Sequence, residues 1–343
     1  MTTRTSILFV LLAAATMLLF VVDLAVGSVA IPLGEVWRGL WDSSPESVAE
    51  PLRLVVRNFR LPKAVMALLA GASLSSVGLQ MQTLFRNPLA GPYVLGVSSG
   101  ASLGVSIMLL GLPLLGVSVA NPVVQNIGVA GAAWIGAAAI MVVVMAVTAR
   151  IKNIMTVLIL GMMFGSAASA VVEIMQYLSP EGALKSYVVW TMGSLGGVTL
   201  AQLGIIVPIV VVGLVLSVLL IKPLNILLLG ENYARTMGLN IKRTRLMVTI
   251  TTVLLAGTIT AYCGPIGFVG LAVPHVARML FREADHKVLV PATMLTGTTT
   301  MLLCDIVSSL PANDIALPIN TVSALVGIPV VVVVILRNRK MMM

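Results

Sequence analysis

Long apolar runs recur along almost the whole of this sequence, and they limit what it can fold into. A helix needs about 20 apolar residues to cross the hydrocarbon core of a bilayer. Only 10% of the residues are charged, whereas soluble domains carry about 25%. Spans are expected at residues 6–26, 62–84, 93–112, 123–148, 154–177, 201–221, 246–263, 268–281, 288–308 and 319–336. Because lipid offers the backbone no hydrogen-bond partners, we predict an all-α membrane protein with about ten transmembrane helices in one domain, 1–343.

The basic residues predict how these spans are oriented. Ten spans place both termini on one side, and fifteen of the 21 Lys and Arg residues then lie on that side, with six on the other. Cytoplasmic loops are enriched in Lys and Arg, so both termini are expected in the cytoplasm. The first run follows Arg4 and is interpreted as a retained span rather than a signal peptide. The net charge of +9 does not indicate a nucleic-acid partner, since the basic residues lie at helix ends.

Residues 222–245 form the most polar loop between two spans. Gly230 and Gly238 divide it into about two short helices. Composition alone fits an ordinary solvated loop. Apolar side chains such as Leu229, Tyr233 and Met237 favour a docking surface for a cytoplasmic partner.

Three segments resemble the FecCD family of ABC importer permeases, which serve the uptake of ferric siderophores, haem and cobalamin. The first is Leu228-Leu229-Gly230-Glu231 followed by Ala234 and Met237-Gly238-Leu239. The others are RNPLA with LGVSSGA, at 86–101, and GPIGFVGL-x-x-PH-x-x-R, at 264–278. This resemblance implies a type II ABC importer permease that imports a metal chelate, a ferric siderophore foremost, with haem or cobalamin as alternatives.

The same resemblance implies partners and roles. The chain would work by alternating access with a second copy of itself, two cytoplasmic ABC ATPase subunits and an extracytoplasmic substrate-binding protein, in the cytoplasmic membrane of a bacterium or archaeon. ATP and Mg would be bound by the ATPase subunits, and no cofactor by this chain. The residues implied to couple to the ATPase are Leu229, Gly230, Glu231, Ala234, Arg235, Gly238 and Leu239. A cytoplasmic gate is implied at Asn87, Leu89, Asn153 and Ile154, although Asn87 also fits a simple turn cap.

Basic residues follow the first outer loop at helical spacing: Arg53, Arg57, Arg60 and Lys63. They fit either snorkelling residues at a helix end or a basic rim for an acidic partner. Arg60-Leu61-Pro62-Lys63 resembles the family motif that docks the binding protein, which implies docking roles for Arg57, Arg60 and Lys63. A further basic residue of the family's last outer loop is replaced here by Ser308-Ser309.

A semi-polar stripe runs along the span at 154–177. Met162, Ser166, Ser169 and Glu173 recur every three or four residues. A carboxylate within a span usually faces a protein interior or a water-filled path, and the family resemblance makes this helix part of the translocation path. Alternatively, Glu173 lies at the outer interface and contacts water. Residues 178–200 are predicted to form an outer interfacial helix.

The glycine-rich entries to the third and eighth spans fall at corresponding places in helix sets 62–177 and 246–336. The count of spans gives these sets opposite orientations, which predicts an inverted repeat.

No catalytic residues are predicted, and no P-loop sequence or Gly-Lys pair is present. His275 and His286 have no third ligand in view, so no metal site is predicted. The alternative function is a secondary transporter driven by an ion gradient through Glu173, Asp23 and Asp305.

Overall fold

The structure is a computed structural model that describes residues 3–27, 31–41, 50–93, 95–117, 122–148, 151, 154–310 and 317–339. Over these residues the secondary structure is helical and contains no strand. The predicted all-α membrane fold is confirmed.

The helices follow the apolar runs of the sequence. They are α1 Thr3–Ala25, α2 Leu33–Trp41, α3 Pro51–Leu84, α4 Val97–Leu114, α5 Pro122–Thr148, α6 Ile154–Leu178, α7 Glu181–Met192, α8 Leu200–Leu219, α9 Ile221–Leu228, α10 Glu231–Thr236, α11 Ile241–Cys263, α12 Val269–Phe281, α13 His286–Ser309 and α14 Ile319–Arg339.

Among the described residues, eight helices are long and apolar enough to cross a membrane: α1, α3, α4, α5, α6, α8, α11 and α13. Two shorter apolar helices, Val269–Phe281 and Ile319–Val333, match the remaining predicted spans. Short π-helical segments interrupt three of the long helices, at Val56–Arg60, Ile107–Gly111 and Val253–Gly257.

The chain divides into two compact units. The first contains residues 1–76, 194–211 and 266–343. In it α13 packs against α1, α12 and α14. A Cβ atom on Gly71 of α3 would overlap the backbone of Gly297 in α13, and the reverse also holds. These two glycines therefore allow the helices a close approach, as small residues commonly do in membranes.

The second unit contains residues 77–193 and 212–265. In it α4 packs against α5 and α6, and the end of α11 packs against α5. Gly100 on α4 faces Gly136 on α5, and a Cβ on Gly100 would lie 2.6 Å from the carbonyl oxygen of Gly136. Glycines recur every fourth residue at Gly96, Gly100 and Gly104, and this small-residue pattern thus serves helix packing. The division into these two units does not follow the helix sets 62–177 and 246–336. The inverted repeat of the two sets stays a prediction.

Candidate functional site

The loop between α8 and α11 contains two short helices, as predicted. Gly230 separates α9 from α10 with φ of +103°, a backbone conformation that side chains with a Cβ rarely adopt. Leu224, Leu227 and Ala234 are buried beneath the two helices. These three side chains form the buried side of the loop, which belongs to the second unit.

The opposite side of α9 and α10 is apolar and open. Leu229, Tyr233 and Met237 are 60%, 66% and 56% exposed. They lie in the connection between the spans α8 and α11. Exposed apolar patches of this kind mark interaction sites. We call these three residues, with Leu228, the loop patch.

Charged residues of the loop bind one another. The carboxylate of Glu231 accepts from Nη2 of Arg245 at 2.6 Å, and Nη2 of Arg235 lies 3.8 Å from it. Nη1 of Arg245 also donates to the carbonyl oxygen of Ile151 at 3.5 Å. Glu231 therefore holds α10 against the start of α11, whereas Gly238 ends the segment with φ of +80°. Leu239 is half-buried.

The RNPLA segment forms a tight turn directly after α3. Oδ1 of Asn87 accepts from the backbone N–H of Leu89 at 2.9 Å, which is the geometry of a turn cap. Leu89 is exposed. Arg86 has φ of +48°, and a Cβ on Gly230 would lie 3.4 Å from its Nη1 atom. The turn and the loop are therefore neighbours within the second unit.

The other residues predicted for the gate lie at the limit of the description. Asn153 falls outside the described residues, and Ile154 is placed only as the first residue of α6. The predicted gate of Asn87, Leu89, Asn153 and Ile154 therefore stays a prediction.

A polar cavity of about 300 Å³ lies between α4, α6 and α7. Seven of its eight lining residues are polar: Ser98, Ser99, Ser102, Ser169, Glu173, Gln176 and Tyr187, with Val172 as the eighth. Two residues of the predicted path, Ser169 and Glu173, thus share one cavity. Met162 and Ser166 continue the same face of α6 and are exposed.

Tyr187 is the buried end of this cavity. Its phenol is hydrogen-bonded with Ser102 and Gln176, and its ring lies 6.2 Å from that of Trp190. Burial raises the pKa of Tyr187, while the two hydrogen bonds act in the opposite direction. The phenol therefore stays protonated and offers the cavity a neutral polar group.

Two G-x-S-x-G patterns overlap at residues 96–104. In a hydrolase this pattern places the serine on a sharp turn between a strand and a helix. Ser98 and Ser102 instead lie within α4, and their positions do not form such a turn. Over the described residues, no group of three or more His, Cys, Asp and Glu side chains is placed to hold a metal ion.

The predicted basic rim is largely engaged within the first unit. Arg57 donates to the carbonyl oxygens of Gly39 and Leu40, both at 2.9 Å. Arg60 is buried and donates to the carbonyl oxygens at the end of α1, those of Leu24 and Ala25.

Lys63 has an internal acidic partner. Its Nζ lies 3.1 Å from the carboxylate of Asp305 and donates to Oγ of Ser309 at 2.6 Å. Asp23 also shares a hydrogen bond with Asp305, so the ends of α1 and α13 meet α3 at Lys63. The docking roles of Arg57, Arg60 and Lys63 remain a prediction.

Comparison with known proteins identifies the family. A family model described as the FecCD transport family matches residues 15–337. The chain belongs to the FecCD transport family. It is 35% identical over 299 residues to the vitamin B12 import system permease protein BtuC of Klebsiella pneumoniae, covering 87% of each chain. It is 32% identical to the hemin transport system permease protein HmuU of Yersinia pestis, over 94% of this chain and 95% of that one.

A solved structure supports the same assignment. It is described as an inward-facing conformation of a metal-chelate type ABC transporter, and it matches with a TM-score of 0.81 and 30% identity. The match covers 97% of this chain and 99% of the other. This FecCD protein is therefore a multi-pass membrane permease with the fold of an ABC transporter.

Two features of the site were not predicted from the sequence. One is the second side of the polar cavity, formed by Ser98, Ser99, Ser102 and Tyr187. In the sequence these serines lie in or directly after LGVSSGA, a segment that indicates only the family resemblance. The other is the contact of Lys63 with Asp305. The sequence signal that could have indicated it is a charged residue, Asp305, within an apolar run, since such residues usually have a partner inside the protein.

Proposed function

We propose that this FecCD protein is the transmembrane permease subunit of an ATP-driven importer of a metal chelate, a ferric siderophore foremost. It moves the chelate from the exterior to the cytoplasm, in the cytoplasmic membrane, with both termini in the cytoplasm. Its relatives include permeases named for vitamin B12 and for hemin, and its structural neighbour is of metal-chelate type. These relationships support a large chelate as the substrate class.

The observation that carries the proposal is the loop patch. Four large apolar side chains, Leu228, Leu229, Tyr233 and Met237, are exposed on or directly after two short helices whose buried residues are Leu224, Leu227 and Ala234. Interfaces form around apolar and aromatic anchors that become buried on binding. We assign the patch to a cytoplasmic ATPase subunit, one on each copy of a homodimer.

The polar cavity is assigned to the translocation path. Glu173 and Ser169 line it, and the exposed face of α6 continues from it through Ser166 and Met162. In a homodimer this face would line a path shared with the second copy. ATP binding and hydrolysis by the partner subunits would move the loop, and the path would open to one side at a time.

The binding protein is assigned to the outer ends of α2 and α3. Arg57 is half-buried, and Lys63 keeps 24% of its side chain exposed while bound to Asp305. Arg60 is committed to the carbonyl oxygens of α1. Docking therefore rests on Arg57 and Lys63, with Arg60 holding the helix end in place.

The test replaces the exposed anchors Tyr233 and Met237 by Asp and measures co-purification of the ATPase encoded with this permease. We expect the double variant to lose most of the bound ATPase and of the ATP-dependent uptake, since each buried anchor contributes about 2 kcal/mol or more. Ser186→Asp, at an exposed position on α7, is the matched control and should bind normally.

Uptake into membrane vesicles that contain the permease distinguishes the alternative function. Uptake that requires ATP inside the vesicles and does not depend on a proton gradient supports the importer. Uptake driven by a proton gradient without ATP, and abolished by Glu173→Gln, would instead establish the secondary transporter.

A further inference from the structure

A second cavity, of about 340 Å³, lies in the second unit away from the polar one. Its walls are apolar and include Leu84, Met141, Val144 and Val157. Leu84, Met141 and Val144 are buried. Ligand pockets in proteins measure about 300–1,000 Å³, so this cavity is large enough for a small ligand or for one end of a larger one.

The cavity lies where several spans end. Leu84 is the last residue of the span in α3, and Val157 is the second residue of the span Thr156–Leu178. Met141 and Val144 lie in the last two turns of the span Ile127–Val147. On the fourth side, α11 begins its span at Ile241. Since the ends of these spans meet here, the cavity is expected at the boundary between the hydrocarbon core and the headgroup layer.

Two basic residues line the mouth of the cavity. Lys242 is exposed and Arg245 is half-buried, and both belong to the first turns of α11. Glu231 binds Arg245 from the loop side, and no carboxylate is among the residues that line the cavity. The mouth thus has an excess of positive charge, next to walls that exclude water.

We propose that this cavity binds an anionic phospholipid. The phosphate would lie at Lys242 and Arg245, and the first part of an acyl chain would lie among Leu84, Val144 and Val157. Basic pockets between transmembrane helices at this level of the membrane bind anionic headgroups. A neutral lipid would match the walls but not the mouth, and a soluble phosphate would match the mouth but not the walls.

The test measures lipid binding to the delipidated permease in detergent by native mass spectrometry. The probes are phosphatidylglycerol, phosphatidylcholine with the same acyl chains, and glycerophosphoglycerol as the headgroup without chains. We expect phosphatidylglycerol to bind at least tenfold more tightly than phosphatidylcholine, and the chainless headgroup to bind far more weakly than either lipid.

Lys242→Gln should reduce the preference for phosphatidylglycerol about fivefold, the effect of one basic residue near an anionic surface. Arg243→Gln is the matched control, because Arg243 is exposed on the same helix and does not line the cavity. Val157→Phe fills the cavity and should weaken both lipids. Lys242 is chosen over Arg245 because Arg245 also holds Glu231.

Three outcomes would overturn the proposal. One is an equal preference for phosphatidylglycerol in the wild type, Lys242→Gln and Arg243→Gln, which would indicate general adhesion to the basic surface. Another is unchanged lipid binding in Val157→Phe while size-exclusion profiles remain normal. The third is binding of glycerophosphoglycerol as tight as that of the lipid, which would assign the mouth to a soluble phosphate.

Discussion

Removing the charge of Lys63 should destabilise the protein through Asp305. The two side chains form an ion pair at 3.1 Å, in which Asp305 is 2% and Lys63 24% exposed. Asp23, also buried, interacts with Asp305. In Lys63→Met, the Asp305 carboxylate would lose its nearest cation at a site that water does not reach.

The expected magnitude follows from this burial. Removing one partner of a buried ion pair costs about 3–5 kcal/mol, and the partial exposure of Lys63 favours the lower end, about 3 kcal/mol. Replacing both partners, in Lys63→Met with Asp305→Leu, should be close to neutral, because apolar residues of similar volume commonly substitute for buried ion pairs. The double-mutant cycle should therefore give a coupling energy of at least about 3 kcal/mol, to which any cost of Asp305→Leu alone adds, with the double variant more stable than Lys63→Met.

The assay is reversible unfolding of the purified protein in mixed micelles of a mild detergent and dodecyl sulfate, followed by tryptophan fluorescence. Lys185→Met, at an exposed lysine on α7, controls for the loss of one surface charge. The reasoning is refuted if Lys63→Met lies within about 0.5 kcal/mol of the wild type, the range of ordinary surface substitutions. It is also refuted if the effects of the two single substitutions are additive.

Three further predictions concern orientation, packing and the path. A cysteine at the exposed position Asn232 should react with an impermeant thiol reagent only in inside-out vesicles; labelling of intact cells would reverse the topology. Gly100→Ala should destabilise the protein by about 1–3 kcal/mol through overpacking. At Gly131 an added Cβ meets nothing within 4 Å, so Gly131→Ala should stabilise the protein by up to about 1 kcal/mol. Equal shifts of the unfolding midpoint in the two variants would contradict this prediction. Ser169→Cys should react about tenfold faster with a cationic than with an anionic thiosulfonate, and adding Glu173→Gln should remove that preference. If the cationic and anionic reagents react with Ser169→Cys at equal rates while Glu173 is present, the charge of Glu173 does not act in the cavity.

Much of the fold could be predicted because its signals are local. A span is indicated by one apolar run, and the two helices of the loop were predicted from Gly230 and Gly238, which the structure places at positive φ. The stripe of Ser169 and Glu173 was likewise predicted from spacing within one helix. Each of these features depends on residues within a few turns of one another.

Features formed by distant residues could not be predicted in the same way. Lys63 and Ser309 lie 246 positions apart, and no periodicity links them. The family resemblance implies a docking role for Arg60, and that role stays a prediction. The contact of its guanidinium with the end of α1 has no signal in the sequence, although the last carbonyl groups of a helix have no partners within their own helix.

Charged and apolar residues have separate roles in the loop, and this affects how the predicted coupling residues should be interpreted. Glu231 is bound to Arg245 at 2.6 Å, so reversing its charge would release α10 from α11 before any contact with a partner is changed. Leu229 and Tyr233 have no comparable internal role, because most of their surface is exposed. A loss of coupling caused by Glu231 would therefore report the shape of the loop, whereas a loss caused by Tyr233 would report the contact itself. Of these two residues, only Tyr233 identifies the surface that an ATPase subunit would cover.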